Sequence, residues 1–269
     1  MNEEDVKMRL GFIGCGNMAT AIIKGIVRNS ELNGDDIYVY DTYKPAMDKI
    51  VNAMGVNECS DANDTAGNCD ILFLAVKPNV LADVLAEIND NKPLIISIAA
   101  GKTLEFLEAN ISVKNSRIVR VMPNINATVG EAISAYCINS LVTYEDNKNV
   151  EMLLSCFGKC LALDESQFPI FGVLGGCAPA YAYMFIDALA RAGVKNGMKK
   201  DEALKIAAQT VYGSAKLILE SDEHPWKLID NVCSPGGTTI EGITSLQSDG
   251  FENAVHNAVD KALDKDKRL

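Results

Sequence analysis

The stretch Leu10–Ala21, LGFIGCGNMATA, constrains the fold of this chain more than any other. Leu10–Ile13 is a short apolar run of strand length. It ends in Gly14-x-Gly16-x-x-Ala19, after which Ala19, Ile22, Ile23 and Ile26 recur at i, i+3, i+4 and i+7, one face of a helix. Gly14 permits a tight turn, Gly16 lets a ligand approach the backbone, and Ala19 allows close packing of helix on strand. The first amides of the helix point outward, where the helix dipole favours negative charge. Strand, glycine turn and helix in this order predict a pyrophosphate cradle for NAD or NADP. The alternative is a glycine turn that only packs.

The next strands support that unit. Ile37–Tyr40, Val56–Cys59, Ile71–Val76, Leu94–Ile98 and Ile118–Met122 read as strands, the last three as apolar runs covered on both faces. Helical stretches fit between them at Pro45–Met54, Val80–Ile88 and Leu104–Asn110. Alternation of this kind predicts a doubly wound α/β domain with a parallel sheet, closed by strands at Ala132–Ile138 and Cys160–Leu163 around a helix near Asn147–Phe157. Ligands of such sheets lie beyond the carboxyl ends of the strands. The turns there are Gly14–Met18, Ala75–Pro78, Ala99–Gly101 and Met122–Asn124. Asp41 ends the second strand about 20 residues after the glycine turn, where an acid bonds the adenosine ribose and favours NADH. Thr42 and Lys44 come next and could accept the 2′-phosphate of NADPH, and Asp41 also suits a plain turn.

The character changes after Asp164. Gly172–Ala178 (GVLGGCA) is expected to break the chain, and the remaining residues read as helices: Pro179–Asn196, Lys200–Glu220, Pro225–Val232, Ile240–Gln247 and Phe251–Lys265. Pro179–Asn196 is apolar almost all round, so it must be buried all round, which a helical tail achieves against a second copy of the chain. Between the later helices lies Ser234-Pro235-Gly236-Gly237-Thr238-Thr239-Ile240-Glu241. Pro-Gly marks a tight turn in which Gly237 can take positive φ. Thr238-x-x-Glu241 has capping-box spacing, so with Thr238 as N-cap the Thr239 hydroxyl stays free. This is a second glycine-rich helix start, suited to a small carboxylate; the alternative is a well-capped structural turn.

Composition narrows the chemistry. Of 269 residues, 25 are Lys or Arg and 36 Asp or Glu, giving a net charge of −11, which argues against nucleic acid and anionic membranes as partners. The acidic N-terminal segment has no apolar core, so no signal peptide is expected, and the longest apolar run, Cys177–Ile186, is too short to span a bilayer. The eight cysteines form no CxxC pair and no ligand cluster, which predicts no metal site, and without an expected export signal reduced thiols and a cytoplasmic location are expected. Cys15 is expected to fill space. His224 precedes Pro225 at a helix start and reads as a cap; His256 reads as solvated. Without a lysine mid-way along the long helix, hydride addition to an already protonated C=N bond fits best, because it needs no strong side-chain acid or base.

These residues together resemble the pyrroline-5-carboxylate reductase family along essentially the whole chain. The matching stretches are GFIGCGNMATAI, LFLAVKPNV, SIAAGKTL, RVMPN, DALARAGVKNGM, AAQTVYGSAKLILES and, most specific, DNVCSPGGTTIEGI. The resemblance implies a Rossmann-type doubly wound domain over 1–164 and an all-helical dimerisation domain over 165–269. It implies NADH- or NADPH-dependent reduction of 1-pyrroline-5-carboxylate to L-proline by a homodimer, with dimers often assembled further. Cofactor contacts fall on Ile13, Gly14, Cys15, Gly16, Asn17, Met18, Ala75, Val76, Lys77, Pro78, Ala99, Ala100 and Gly101, with Glu165 near the ligands. The substrate carboxylate falls to the loop with Ser234, Gly236, Gly237 and Thr238, with Asn231 nearby and Thr239 as proton donor or orienting group. This chain departs from the family at Ile125 and Asn126, where threonine and proline are usual, and at Ala178, usually glycine. The alternative readings are a reductase of a related cyclic imine or 2-keto acid, and a non-catalytic cofactor-binding paralogue.

Overall fold

The computed structural model describes residues 7–89 and 92–267; the acidic N-terminal segment 1–6 lies outside them. Contacts divide the chain into two compact units, one ending at Gly176 and one beginning at Cys177.

The first unit is a doubly wound α/β sheet. In chain order it runs β1 (Leu10–Ile13), α1 (Asn17–Asn29), β2 (Ile37–Tyr40), α2 (Lys44–Met54), β3 (Asn57–Glu58), α3 (Ala62–Gly67), β4 (Ile71–Leu74), α4 (Leu81–Glu87), β5 (Leu94–Ser97), α5 (Leu104–Asn110), β6 (Ile118–Met122), β7 (Ala132–Ile138), α6 (Tyr144–Ser155), β8 (Gly158–Ala162) and α7 (Phe168–Phe171). The strands lie in the order β3-β2-β1-β4-β5-β6-β7-β8. Pairing is parallel except between β6 and β7, where Val119 faces Ile138 and Met122 faces Ala135 in antiparallel register. The expected parallel doubly wound sheet is present, and the one antiparallel pair has a geometric reason. A 3₁₀ turn, Ile125–Val129, joins these two strands without a crossover helix, so β7 must return alongside β6.

Alternate residues of each strand supply two cores. Leu10, Phe12, Ile71, Phe73 and Ile96 pack with Ile22, Ile23 and Ile26 of α1, Ile50 of α2 and Leu153 of α6. Ile13, Leu72, Leu74 and Ile95 pack on the other face with Ala62 of α3, Leu81 and Leu85 of α4 and Leu107 of α5. Phe12 and Phe73, neighbours across β1 and β4, stack with ring centres 4.6 Å apart. Each fully buried isoleucine or leucine contributes about 2 kcal/mol, so the three buried isoleucines of α1 hold that helix, and with it the glycine turn, firmly to the sheet.

Two further elements differ from expectation. The short α3 has no periodic signature, because ANDTAG carries no large apolar residue; Asp61 caps it by accepting from Asp64 N at 2.7 Å. The glycines of Gly172–Cys177 do not break the chain. They form a π-helical segment continuous with α7 and with α8 (Ala178–Lys195), because the buried amide of Asn124 donates to the Gly175 carbonyl at 2.9 Å. The resulting helix, Glu165–Lys195, has 31 residues and is long and apolar enough to cross a membrane.

The second unit is helical: α8, then α9 (Lys200–Glu220), α10 (Pro225–Val232), α11 (Thr238–Ser248) and α12 (Phe251–Asp266). α8 and α9 pack through Ala190, Ala203 and Ala207 with Ile186. Gly193 lets the two helices approach closely: a Cβ on it would stand 3.1 Å from the Ala203 Cβ, a tight contact.

Candidate functional site

The turns after β1, β4 and β5 come from three adjacent parallel strands. Gly14 takes φ +98°, and a Cβ on it would meet the Ala75 carbonyl oxygen at 2.6 Å. Only glycine fits both conditions. Gly14 N donates to Tyr40 O, and Ala75 N to Ile13 O, each at 2.8 Å, which ties the ends of β2, β1 and β4 together. Gly16 begins α1, and a Cβ there would meet nothing within 4 Å, so the space over the loop is open. The start of α1 has no side-chain cap and no acidic residue in its first turn, whereas α3, α5 and α6 are capped by Asp61, Thr103 and Thr143. The amides of Asn17 and Met18 are thus left to an anion, and this chain's residues fit a dinucleotide pyrophosphate. Gly101, with φ +71°, shapes the turn after β5.

Asp41 braces this loop. Its Oδ2 accepts from Cys15 N at 2.6 Å and its Oδ1 from Tyr43 N at 2.8 Å, and each oxygen keeps a second lone pair for a ribose hydroxyl. Cys15 itself is 3% exposed; burial, aided by the Asp41 carboxylate, pushes its thiol up to about 12, so it packs rather than reacts. Lys44 donates to Glu58 at 2.6 Å and lies 3.1 Å from Asp48, and these carboxylates raise its pKa.

Glu165 has a structural part that the sequence pattern around it does not reveal. Its Oε1 accepts from Leu104 N and from Arg120 Nη1, both at 2.8 Å. Arg120 is 6% exposed and its guanidinium lies 4.3 Å from the Phe168 ring centre. Glu165 therefore pins the start of α5, immediately after the Ala99–Gly101 turn. The sequence does carry one signal for such a contact: an arginine inside the apolar strand IVRVM must be paired.

The second loop differs in detail from expectation. Gly237, not Thr238, is the N-cap of α11, so no capping box with Glu241 forms and both Thr238 and Thr239 lie in the first turn. Gly236, not Gly237, takes positive φ, at +68°. Gly237 N donates to Ser234 O at 2.9 Å, and a Cβ on Gly237 would displace the Ser234 hydroxyl, which lies 2.3 Å from that position. Asn231 is exposed near the end of α10. His224 caps α10 as expected, accepting from Trp226 N at 3.3 Å, and His256 is exposed. Among the described residues no cluster of histidine, cysteine or carboxylate side chains could hold a metal.

Residues 165–269 match the family model for pyrroline-5-carboxylate reductase dimerisation, and residues 9–101 that for NADP oxidoreductase, coenzyme F420-dependent. The pyrroline-5-carboxylate reductase of Escherichia coli is 42% identical over 98% of this chain and 99% of its own; that of Aquifex aeolicus is 40% identical over 97% of both. This chain belongs to the pyrroline-5-carboxylate reductase family. The structure of the Plasmodium falciparum pyrroline carboxylate reductase with NADP bound superposes with a TM-score of 0.85 at 34% identity, covering 97% of this chain and 98% of that one. The Coxiella burnetii pyrroline-5-carboxylate reductase gives 0.91 at 31% identity over 97% and 98%. Membership makes this chain a nicotinamide-dependent oxidoreductase, with the doubly wound sheet and helical dimerisation region of the reductase family.

Proposed function

We propose that this chain reduces the C=N bond of 1-pyrroline-5-carboxylate to give L-proline. One observation carries the reading: a single chain joins the Gly14–Gly16 turn to the Ser234–Thr239 loop, two glycine helix starts without side-chain caps, the first suited to a pyrophosphate and the second to a small carboxylate. The reduced nicotinamide, when bound, supplies the hydride. The uncapped amides of α1 hold its pyrophosphate, Asp41 takes a ribose hydroxyl, and the turns Ala75–Pro78 and Ala99–Gly101 offer backbone to its flat groups. The amides of Ser234, Gly236 and Thr238 hold the substrate carboxylate, within a loop that the Gly237 N–H closes on Ser234 O, with Asn231 beside them. Thr239, whose hydroxyl no cap consumes, orients the ring nitrogen or donates a hydrogen bond to it. Asp41 favours NADH over NADPH. The helical region pairs two copies, and the enzyme works in the cytoplasm.

The test monitors nicotinamide absorbance on adding 1-pyrroline-5-carboxylate, with NADH and with NADPH. Rapid oxidation supports the reading; binding of both cofactors without oxidation overturns it in favour of a non-catalytic paralogue. Faster turnover of 1-pyrroline-2-carboxylate would transfer the reading to a related imine. Thr239→Val should lower kcat about 10- to 100-fold with NADH affinity unchanged. Unaltered turnover in that variant would remove the role given to Thr239.

A further inference from the structure

The acidic side chains beside Asp41 do more than solubilise an edge of the sheet. Lys44 opens α2, just beyond the β2 end where Asp41 faces the glycine loop, and it is the one cation among residues 41–48. It is occupied: Nζ lies 2.6 Å from Glu58 Oε1, on the neighbouring strand β3, and 3.1 Å from Asp48 Oδ1, one turn along α2. Two carboxylates thus share one ammonium, and Asp41 adds a third negative charge. Asp61 and Asp64, just after β3, accept hydrogen bonds within their own loop and extend the acidic edge. A 2′-phosphate carries close to two negative charges. At this edge it would meet a surplus of carboxylates and a lysine already engaged.

We propose that Glu58 and Asp48 are specificity-determining residues for the cofactor: by sequestering Lys44 they deny a 2′-phosphate its cation and set the preference for NADH. The inference rests on the proposed placement of the adenosine ribose at Asp41, and it assigns the discrimination to residues outside the glycine fingerprint. Sequence spacing could not find it, because Glu58 reaches Lys44 only through the β2–β3 pairing.

Direct binding tests it. NADH and NADPH are titrated separately into the full-length protein by nicotinamide fluorescence, for the wild type, Glu58→Gln, and Asp48→Asn with Glu58→Gln. The wild type is expected to bind NADH more tightly. Each neutralised carboxylate should tighten NADPH binding about three- to tenfold at moderate salt and leave NADH affinity unchanged. The NADH titration confirms that each variant is folded. Adding Lys44→Met to the double variant should abolish the gain. An unchanged NADPH-to-NADH affinity ratio in the double variant overturns the inference, as does a gain that survives Lys44→Met. A wild type that prefers NADPH would instead overturn the reading of Asp41, a result distinct from either.

Discussion

Two thiols show how burial sets chemistry. Cys15 in the glycine loop and Cys69 before β4 are 3% and 7% exposed, and burial first, neighbouring carboxylates second, pushes both up to about 12. An unfolded thiol ionises near 8.5. From about pH 9 to 12 the folded chain holds protons that the unfolded chain has released, so stability is intact below pH 8.5 and falls as pH rises. The slope is about 1.4 kcal/mol per pH unit for each such thiol. Urea unfolding at about pH 8 and pH 10 should show this fall, and Cys15→Ala should flatten it by about 2 kcal/mol across that interval. Equal slopes in variant and wild type would contradict the burial assigned to Cys15. Native Cys15 should also resist alkylation at neutral pH, where its thiolate is scarce.

At the scale of elements, the buried pair Arg120–Glu165 links β6, the start of α5 and the start of the long helix. Removing the acid strands a guanidinium that is 6% exposed. Glu165→Ala should cost about 2–3 kcal/mol, less than the roughly 3–5 kcal/mol of a fully buried pair, because Glu165 itself is partly solvated. Arg120→Met added to it should recover much of that loss, since the methionine can pack on Phe168. Strictly additive losses in the double-mutant cycle would mean that the pair carries no coupling. The same residues mark where sequence reading succeeds and fails. Strands such as Ile71–Leu74 and helices such as Lys200–Glu220 are legible, because apolar runs and 3.6-residue stripes are local signals. The antiparallel return of β7 rests on a short 3₁₀ connection that carries no periodic signal, while the passage of helix through Gly172–Cys177 and the Arg120–Glu165 contact depend on partners far along the chain. At the second loop, Ser234–Thr239 is legible as a helix start, but the choice of Gly237 over Thr238 as cap rests on the contact with Ser234.

At the scale of the whole molecule the helical region poses a burial problem. Met184 is 77% exposed, Leu219 86% and Tyr183 58%, and an apolar groove of about 510 Å³ between α8 and α12 is lined by Tyr181, Phe185, Phe251 and Val255. Apolar surface of this extent on a monomer is unusual. Together with the match of residues 165–269 to the dimerisation model, it makes a second copy the expected cover, which also accounts for a helix apolar enough to cross a membrane. Met184→Lys separates the cases. In a lone chain a lysine at a 77% exposed position changes stability by less than about 0.5 kcal/mol. In an assembly that covers α8 it places an unpaired charge in an apolar interface and should weaken association at least tenfold. Sedimentation velocity at micromolar concentration should give a dimer or a larger closed assembly for the wild type and smaller species for the variant. A monomeric wild type would overturn the assignment, and the exposed face of α8 would then have to be covered by something other than its own kind.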